Sequence, residues 1–430
     1  MKKIAIALLL ALAITPSVAI AQETPARAAE KVLVLRAARM IDGRGDTVIT
    51  PGVVVVRGNK IVAAGRDAAV PAGAEVIDLG DMTLLPGLID THTHILLQGD
   101  VTTEDYDVQI FKESLPYRAL RASRAVKLAL EHGFTTMRDV ETEGAMYVDV
   151  DVKRAINAGV IPGPRMIVAG RAMSVTGGYG PSGYSPEIQY PRGVQIVDGV
   201  EDARKAVREQ VGNGVDWIKI YADRAYFFAK DGTLSSIPTF TAEELKAIVD
   251  EAHRLRRKVA AHAMARPGLT NALDAGVDSI EHGLAIPDDL LDRMKRQGTW
   301  LVPTLTAMEH VGPGRPGIWP QLPPIHRDSF ARAFRKGVKI AFGTDAGAFP
   351  WDETAAIEFT YMTRGGMSPM QAIQAATMRA AELLEMETQI GSLEAGKLAD
   401  VVAVPGNPLD DVKRLERVGF VMKDGVIVKR

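Results

Sequence analysis

Residues 88–96 read LIDTHTHIL, two histidines set two apart inside an apolar run. In a β-strand side chains alternate, so Asp90, His92 and His94 are expected on one face and Ile89, Thr91 and Thr93 on the other. A buried imidazole must find partners for its ring nitrogens, and two on one face need a shared reason to be there. They are either two ordinary hydrogen-bonded strand histidines or a pair gathered by a metal ion. In the second case the remaining ligands must come from elsewhere in the chain.

The surrounding sequence supplies the order of elements. Strand-like runs at 88–94, 135–140, 165–169, 216–222, 258–263, 278–282, 300–305 and 339–345 alternate with helical stretches such as 241–256 and 325–337. Eight such units over roughly 290 residues predict an α/β fold of the (β/α)8 TIM-barrel type. No Gly-x-Gly-x-x-Gly turn follows the first strand, which argues against a doubly wound sheet. Residues 31–87 and 388–430 are different: short strands with Gly-Asn and Gly-Asp turns predict one small β-sandwich domain assembled from both ends. The catalytic barrel would then span 88–387.

Barrel enzymes carry their chemistry at the C-terminal ends of the strands. There this chain places His92 and His94, Lys219, His262, His282 and Asp345. Lys219 alternates with Ile218 and Ile220, whose side chains suit the helix layer, so it is expected to point inward. An inward lysine is either ion-paired with an acid or, stripped of water and neutral, able to take up carbon dioxide as a carbamate. Asp345 shares its face with Ala341 and Gly343, small residues that leave room beneath it; it is read as a ligand rather than a helix cap. His132 is read as a helix C-terminal residue, His253 and His326 as surface residues, and His310 as a loop residue with some chance of facing the site.

The chain has 430 residues, a net charge of −2 and no cysteine. It has no electrostatic footprint for nucleic acid or an anionic membrane. Disulfides are excluded, and any metal must be held by nitrogen and oxygen. Lys2 and Lys3, the apolar run 4–14 and the small residues Ala19 and Ala21 read as a signal peptide over 1–21, followed by a linker at 22–30. The mature chain is expected to be exported, to the periplasm in a Gram-negative source.

The residues quoted above, together with LLPGLIDTHTH, GTDAG and GSLEAGKLADVVAV, resemble the binuclear branch of the amidohydrolase superfamily along the whole mature chain. Within it the sequence is most similar to the dipeptidase and carboxypeptidase branch, which includes Xaa-Pro dipeptidases and the ochratoxin-hydrolysing amidase. Imidazolonepropionases are close but lack the fourth-strand lysine. The resemblance implies two zinc ions, one held by His92, His94 and Asp345 and the other by His262 and His282, bridged by carboxylated Lys219 and a hydroxide. Asp345 would shuttle the proton. It implies hydrolysis of an amide bond in dipeptides or N-acyl amino acids, with a cyclic amide or lactone as the alternative substrate, and a homo-oligomer. A non-catalytic binding module on the same fold is the alternative of another class, opposed by the presence of all six residues. Where the peptidase branch often has Thr-Gly-Gly-His, this chain has TGGYGPSGY, so Tyr179 and Tyr184, with Tyr221 and Arg224, are the substrate-binding candidates. The loop at 98–117 is expected to cover the pocket.

Overall fold

The computed structural model describes residues 32–99 and 102–430, so the expected signal peptide and linker lie outside the described residues. The middle of the chain is α/β. A three-stranded parallel sheet holds Leu88–Thr93, Phe134–Asp139 and Arg165–Val168. A six-stranded sheet holds Trp217–Tyr221, Lys258–Ala263, Ser279–His282 and Trp300–Val302 in parallel order, with the two-residue strands Met173–Ser174 and Gln195–Ile196 at its edge. Seven of the eight expected strands are therefore present among the described residues. The eighth, 339–345, is not a regular strand; isolated bridges pair Ile340 with Leu301 and Ala346 with Thr93 near its two ends.

Backbone hydrogen bonds link the two sheets at both seams. On one side the Asp216 amide donates to the Val168 carbonyl at 2.8 Å. On the other, residues 339–346 lie between the last strand and the first. The Leu301 amide donates to the Lys339 carbonyl at 2.8 Å, and the amides of Thr91, Asp345 and His94 bond to Phe342, His92 and Ala346 carbonyls at 2.7–3.0 Å.

Side-chain alternation works in the fourth strand. Ile218 and Ile220 are fully buried in the large cluster shared with Leu245, Ile248 and Val249 of helix Ala242–Arg254. Each contributes about 2 kcal/mol of burial. That helix starts with a capping box, Thr241 and Glu244 satisfying each other's backbone amides. Trp217 joins a second cluster with Ala260, Val302 and Ala341 on the opposite side of the strands.

The first strand departs from strict alternation. Ile89 packs in the Trp217 cluster, whereas Asp90 borders a small cavity beside Ala129, Phe134 and Met137. Pairing with the second strand shifts register between Asp90 and Thr93. A register shift of one residue reverses the faces, so Asp90 is not a face-mate of the histidines as expected.

At the chain ends, a four-stranded sheet (Val32–Ala37, Gly52–Arg57, Lys60–Ala64, Glu75–Asp78) shares an apolar cluster with a five-stranded one. The second sheet joins Arg39–Met40 and Met82–Pro86 to Val401–Pro405, Phe420–Lys423 and Val426–Lys429, uniting N- and C-terminal sequence. Leu35, Val54, Leu84, Val401 and Phe420 meet in that cluster.

Candidate metal centre

The ends of the parallel strands surround a cavity of about 240 Å³ lined by His94, Lys219, Tyr221, Arg224, His262, His282 and Asp345, among others. His92 lies just beneath, fully buried. One ligand atom each from His92, His94 and Asp345 lies within 4.8 Å of the others. The His94 Nε2–Asp345 Oδ1 distance is 3.0 Å and the His92 Nε2–Asp345 Oδ1 distance 3.7 Å. The His282 ring sits 4.9 Å from His92 and 4.6 Å from His262. The six expected residues are thus brought together. Two glycines make the approach possible. A Cβ on Gly343 would meet Val302 at 2.3 Å and His92 at 3.0 Å; one on Gly347, at φ +116°, would meet the His94 carbonyl at 2.4 Å.

In each histidine one ring nitrogen is anchored by a neighbouring group. His92 Nδ1 is 2.6 Å from Glu281 Oε2, His94 Nδ1 3.3 Å from the Glu141 carbonyl, and His282 Nδ1 2.8 Å from Thr304 Oγ1. His262 is engaged through Nε2, 2.6 Å from the Tyr226 hydroxyl. His92 Nε2 is buried with no hydrogen-bond partner. A buried polar atom without a partner is expensive unless something absent from the polypeptide occupies it. This is the arrangement of metal-ligating histidines, whose second nitrogen is anchored to fix tautomer and ring orientation.

The electrostatics agree. Burial, then the Lys219 charge, hold His92 down to about 4, and burial holds His262 and His282 well below the ordinary histidine value. These rings are neutral, the form that binds metals. For His94, burial is outweighed by the Asp345 hydrogen bond and charge, then by Glu143 and Glu141, so its value rises to about 10. Asp345 and the two glutamates thus make the surroundings of His94 favour positive charge. The Asp345 carboxylate is held below its usual range despite burial, chiefly by the His94 hydrogen bond. Nitrogen and carboxylate donors of this kind suit a divalent cation such as zinc.

Lys219 is 1% exposed, and burial lowers its pKa. Among the described residues its amine forms no ion pair; it stands 5.6 Å from the Tyr221 ring centroid. The ion-paired alternative is therefore absent from the geometry.

The remaining expectations divide. Tyr179, Tyr221 and Arg224 line the cavity, with the two tyrosine rings stacked at 4.1 Å. Tyr184 does not line it: its hydroxyl is taken by Asp107 and its ring packs on Phe111 and Tyr190. His326 is buried rather than on the surface, its Nε2 donating to the His282 carbonyl at 2.9 Å. His310 is on helix Leu305–Val311, beside Phe349, and does not line the cavity. His253 is half-exposed against Asp278, and His132 caps helix Leu115–Glu131, as expected. Within 98–117 the chain forms helix Thr103–Phe111 rather than a plain loop, and its Tyr106 reaches Glu143 at 2.8 Å.

Sequence reasoning missed several neighbours. Glu281 binds His92 and also takes the Arg138 guanidinium at 2.9 Å, both residues fully buried. Burial works against the Glu281 charge, but Arg138 and then His92 hold it below the usual carboxylate range. Glu143, Asp223, Tyr226, Thr304, Arg315 and Trp319 also line the cavity.

Comparison with known proteins places this geometry. The sequence pattern of the amidohydrolase family matches residues 83–428. Ochratoxinase of Aspergillus niger is 32% identical over 93% of this chain and 87% of its own length. The crystal structure of a Xaa-Pro dipeptidase with methionine bound in its active site superposes with a TM-score of 0.84 at 36% identity, covering 93% of this chain and all of that one. A prolidase complexed with N-methylphosphonate-L-proline gives a TM-score of 0.83 at 28% identity, with 93% and 100% covered. Matched by the family pattern over residues 83–428 and by these relatives over 93% of its length, the chain belongs to the amidohydrolase family and is an enzyme that hydrolyses carbon–nitrogen bonds.

Proposed function

We propose that this protein is an exported amidohydrolase that cleaves the amide bond of dipeptides or N-acyl amino acids, releasing the C-terminal amino acid. The observation that carries this is the set of four histidines, each anchored through one ring nitrogen, around Asp345 and an inward Lys219 with no ion pair. Ochratoxinase and the Xaa-Pro dipeptidase are named for reactions of this kind and are 30–36% identical to this chain, which supports the substrate class.

His92, His94 and Asp345 would hold one divalent cation, zinc by donor type, and His262 and His282 a second. The Lys219 amine would lose a proton and bond to carbon dioxide, and the resulting carbamate anion would supply a further oxygen ligand. When bound, such ions acidify water and polarise a carbonyl. The polypeptide does the rest. Asp345 accepts a proton at its carboxylate as water adds to the carbonyl carbon. It then returns that proton to the nitrogen of the breaking C–N bond, so that the amine leaves neutral. Arg224, exposed at the cavity rim and free of ion pairs among the described residues, grips the substrate α-carboxylate. The small cavity suits a small substrate.

We also propose that the two parallel sheets and residues 339–346 form one (β/α)8 barrel over 88–387, supported by the hydrogen bonds at both seams. The two sheets built from 31–87 and 388–430 would then be a β-sandwich domain sharing one core. Residues 1–21 have the pattern of an export signal. Among the described residues no helix is long and apolar enough to cross a membrane.

The test is a screen of dipeptides and N-acyl amino acids with the zinc-loaded enzyme, alongside metal analysis. About two zinc ions per chain and release of free C-terminal amino acid are expected. A metal-loaded protein that opens lactones or cyclic amides but leaves every linear amide intact would overturn the substrate class. A chain that binds no metal would overturn the mechanism.

A further inference from the structure

Glu143 lines the cavity although it is only 2% exposed, and its backbone adopts φ +49°, the left-handed region that a glutamate rarely enters. Its carboxylate accepts the Tyr106 hydroxyl at 2.8 Å and the Tyr179 hydroxyl at 3.3 Å to each oxygen. Both donors are neutral. The nearby guanidinium of Arg118 spends its hydrogen bonds on the carbonyls of Leu96, Thr142 and Glu143 itself. Among the described residues Glu143 makes no ion pair. A carboxylate offers about four acceptor sites, so capacity remains. The Arg118 charge lies near enough to act on Glu143, but a buried carboxylate with no direct ion pair that faces a cavity can still take a cationic partner from a ligand. A His94 ring nitrogen lies within 4.8 Å of the Glu143 and Glu141 carboxylates, but a metal-holding histidine is neutral. Glu141 takes the Tyr221 hydroxyl at 2.5 Å and does not line the cavity.

We infer that Glu143, held in place by Tyr106 and Tyr179, receives the α-ammonium group of the substrate, so that unblocked dipeptides rather than N-acyl amino acids are the substrate class. This rests on the amide hydrolysis proposed above. Placement selects the α-ammonium over a basic side chain. The α-nitrogen is about 2.5 Å from the scissile carbonyl carbon, from standard backbone dimensions. Glu143 lines the same cavity as Asp345, and its carboxylate lies within 4.8 Å of one ring nitrogen of His94, so it stands one side chain away from the reacting centre. A lysine or arginine terminus would lie several bonds further off. Arg224 for the carboxylate and Glu143 for the ammonium give the cavity one group of each sign to meet a zwitterion.

The experiment uses matched substrates, alanyl-X and its des-amino analogue propionyl-X, over a set of C-terminal residues X, with the zinc-loaded enzyme and Glu143→Gln. For wild type kcat/KM is expected to be about 10- to 100-fold higher for alanyl-X, mostly through KM, the size of a charge-assisted hydrogen bond. In Glu143→Gln that ratio should fall to within about threefold at equal zinc content, with Glu143→Asp between the two. Propionyl-X cleaved as fast as alanyl-X by wild type, or an equal ratio in the variant, would overturn the inference and leave amide hydrolysis standing. Cleavage of neither would overturn both. The wild-type substrate pair decides the matter even should the variant fail to fold.

Discussion

Replacing Glu281 by Gln tests whether the buried acid beneath the site is what readies His92 for a metal. Arg138 donates to both Glu281 oxygens, at 2.9 and 3.0 Å, and neither side chain is exposed. Its other contacts are the Thr91 carbonyl at 2.5 Å, Ser279 at 3.3 Å and the Trp217 ring, 4.4 Å below the guanidinium. None carries negative charge. Removing one partner of a buried pair costs about 3–5 kcal/mol. The amide oxygen keeps one hydrogen bond, so the lower end, about 3 kcal/mol, is expected; against a total stability of about 5–15 kcal/mol this is large. The second effect is on His92. Its Nδ1 lies 2.6 Å from Glu281 Oε2, which fixes Nε2 as the unprotonated nitrogen. An amide NH₂ facing Nδ1 would reverse the tautomer and put the proton on the ligand nitrogen. Loss of such an anchoring partner costs about 10- to 100-fold in metal affinity. Urea unfolding of the metal-free protein measures the first effect, and competition against a chelator the second. The double variant Glu281→Gln with Arg138→Met should recover most of the stability but none of the metal affinity, because only the stray charge has been removed. A metal-free Glu281→Gln protein within about 1 kcal/mol of wild type, with an unchanged chelator curve, would refute the reasoning.

Three further outcomes are expected. Lys219→Ala should lose most bound metal and at least about 100-fold in activity; a variant that keeps both removes the carbamate from the mechanism. Asp345→Asn should slow kcat by about 10²- to 10⁴-fold while part of the metal stays bound, and unchanged turnover would end its role as proton carrier. His326 is buried, and burial lowers it from 6.5 to about 4. Between those values the unfolded chain binds the extra proton, so stability is full above pH 6.5 and falls by up to about 3 kcal/mol as pH drops toward 4. His326→Gln should flatten that part of the unfolding-versus-pH curve, and identical slopes for variant and wild type would show that His326 does not titrate this way.

What the sequence made legible, and what it hid, follows from where alternation holds. It holds in the fourth strand, where Ile218 and Ile220 mark the helix side and leave Lys219 inward. It holds in the fifth, where Ala260 joins the Trp217 cluster and His262, two residues on, reaches the cavity. In the first strand His92 and His94 meet at the site although strict alternation does not hold along the strand. Ile89, not Asp90, shares the Trp217 side, and the register shift between Asp90 and Thr93 separates Asp90 from the histidines. In the sixth, Ile280 lies on the helix side, so strict alternation would send His282 there and Glu281 inward. Glu281 does face His92, while His282 reaches the cavity because its backbone turns to φ +69°. Asp345 does likewise at φ +61° and Thr304 at +51°. Among the described residues nine non-glycine positions have positive φ, and five of them, Glu143, Ala225, His282, Thr304 and Asp345, line this one cavity. A left-handed glutamate, histidine, threonine or aspartate leaves no signature in composition or spacing, because these residues take that conformation only when the surrounding structure imposes it. The strain gathered there is also the physical reason the site could be found by residue type yet not fully assembled by pattern: strand periodicity aims side chains along the strands, and the chemistry begins where the strands stop.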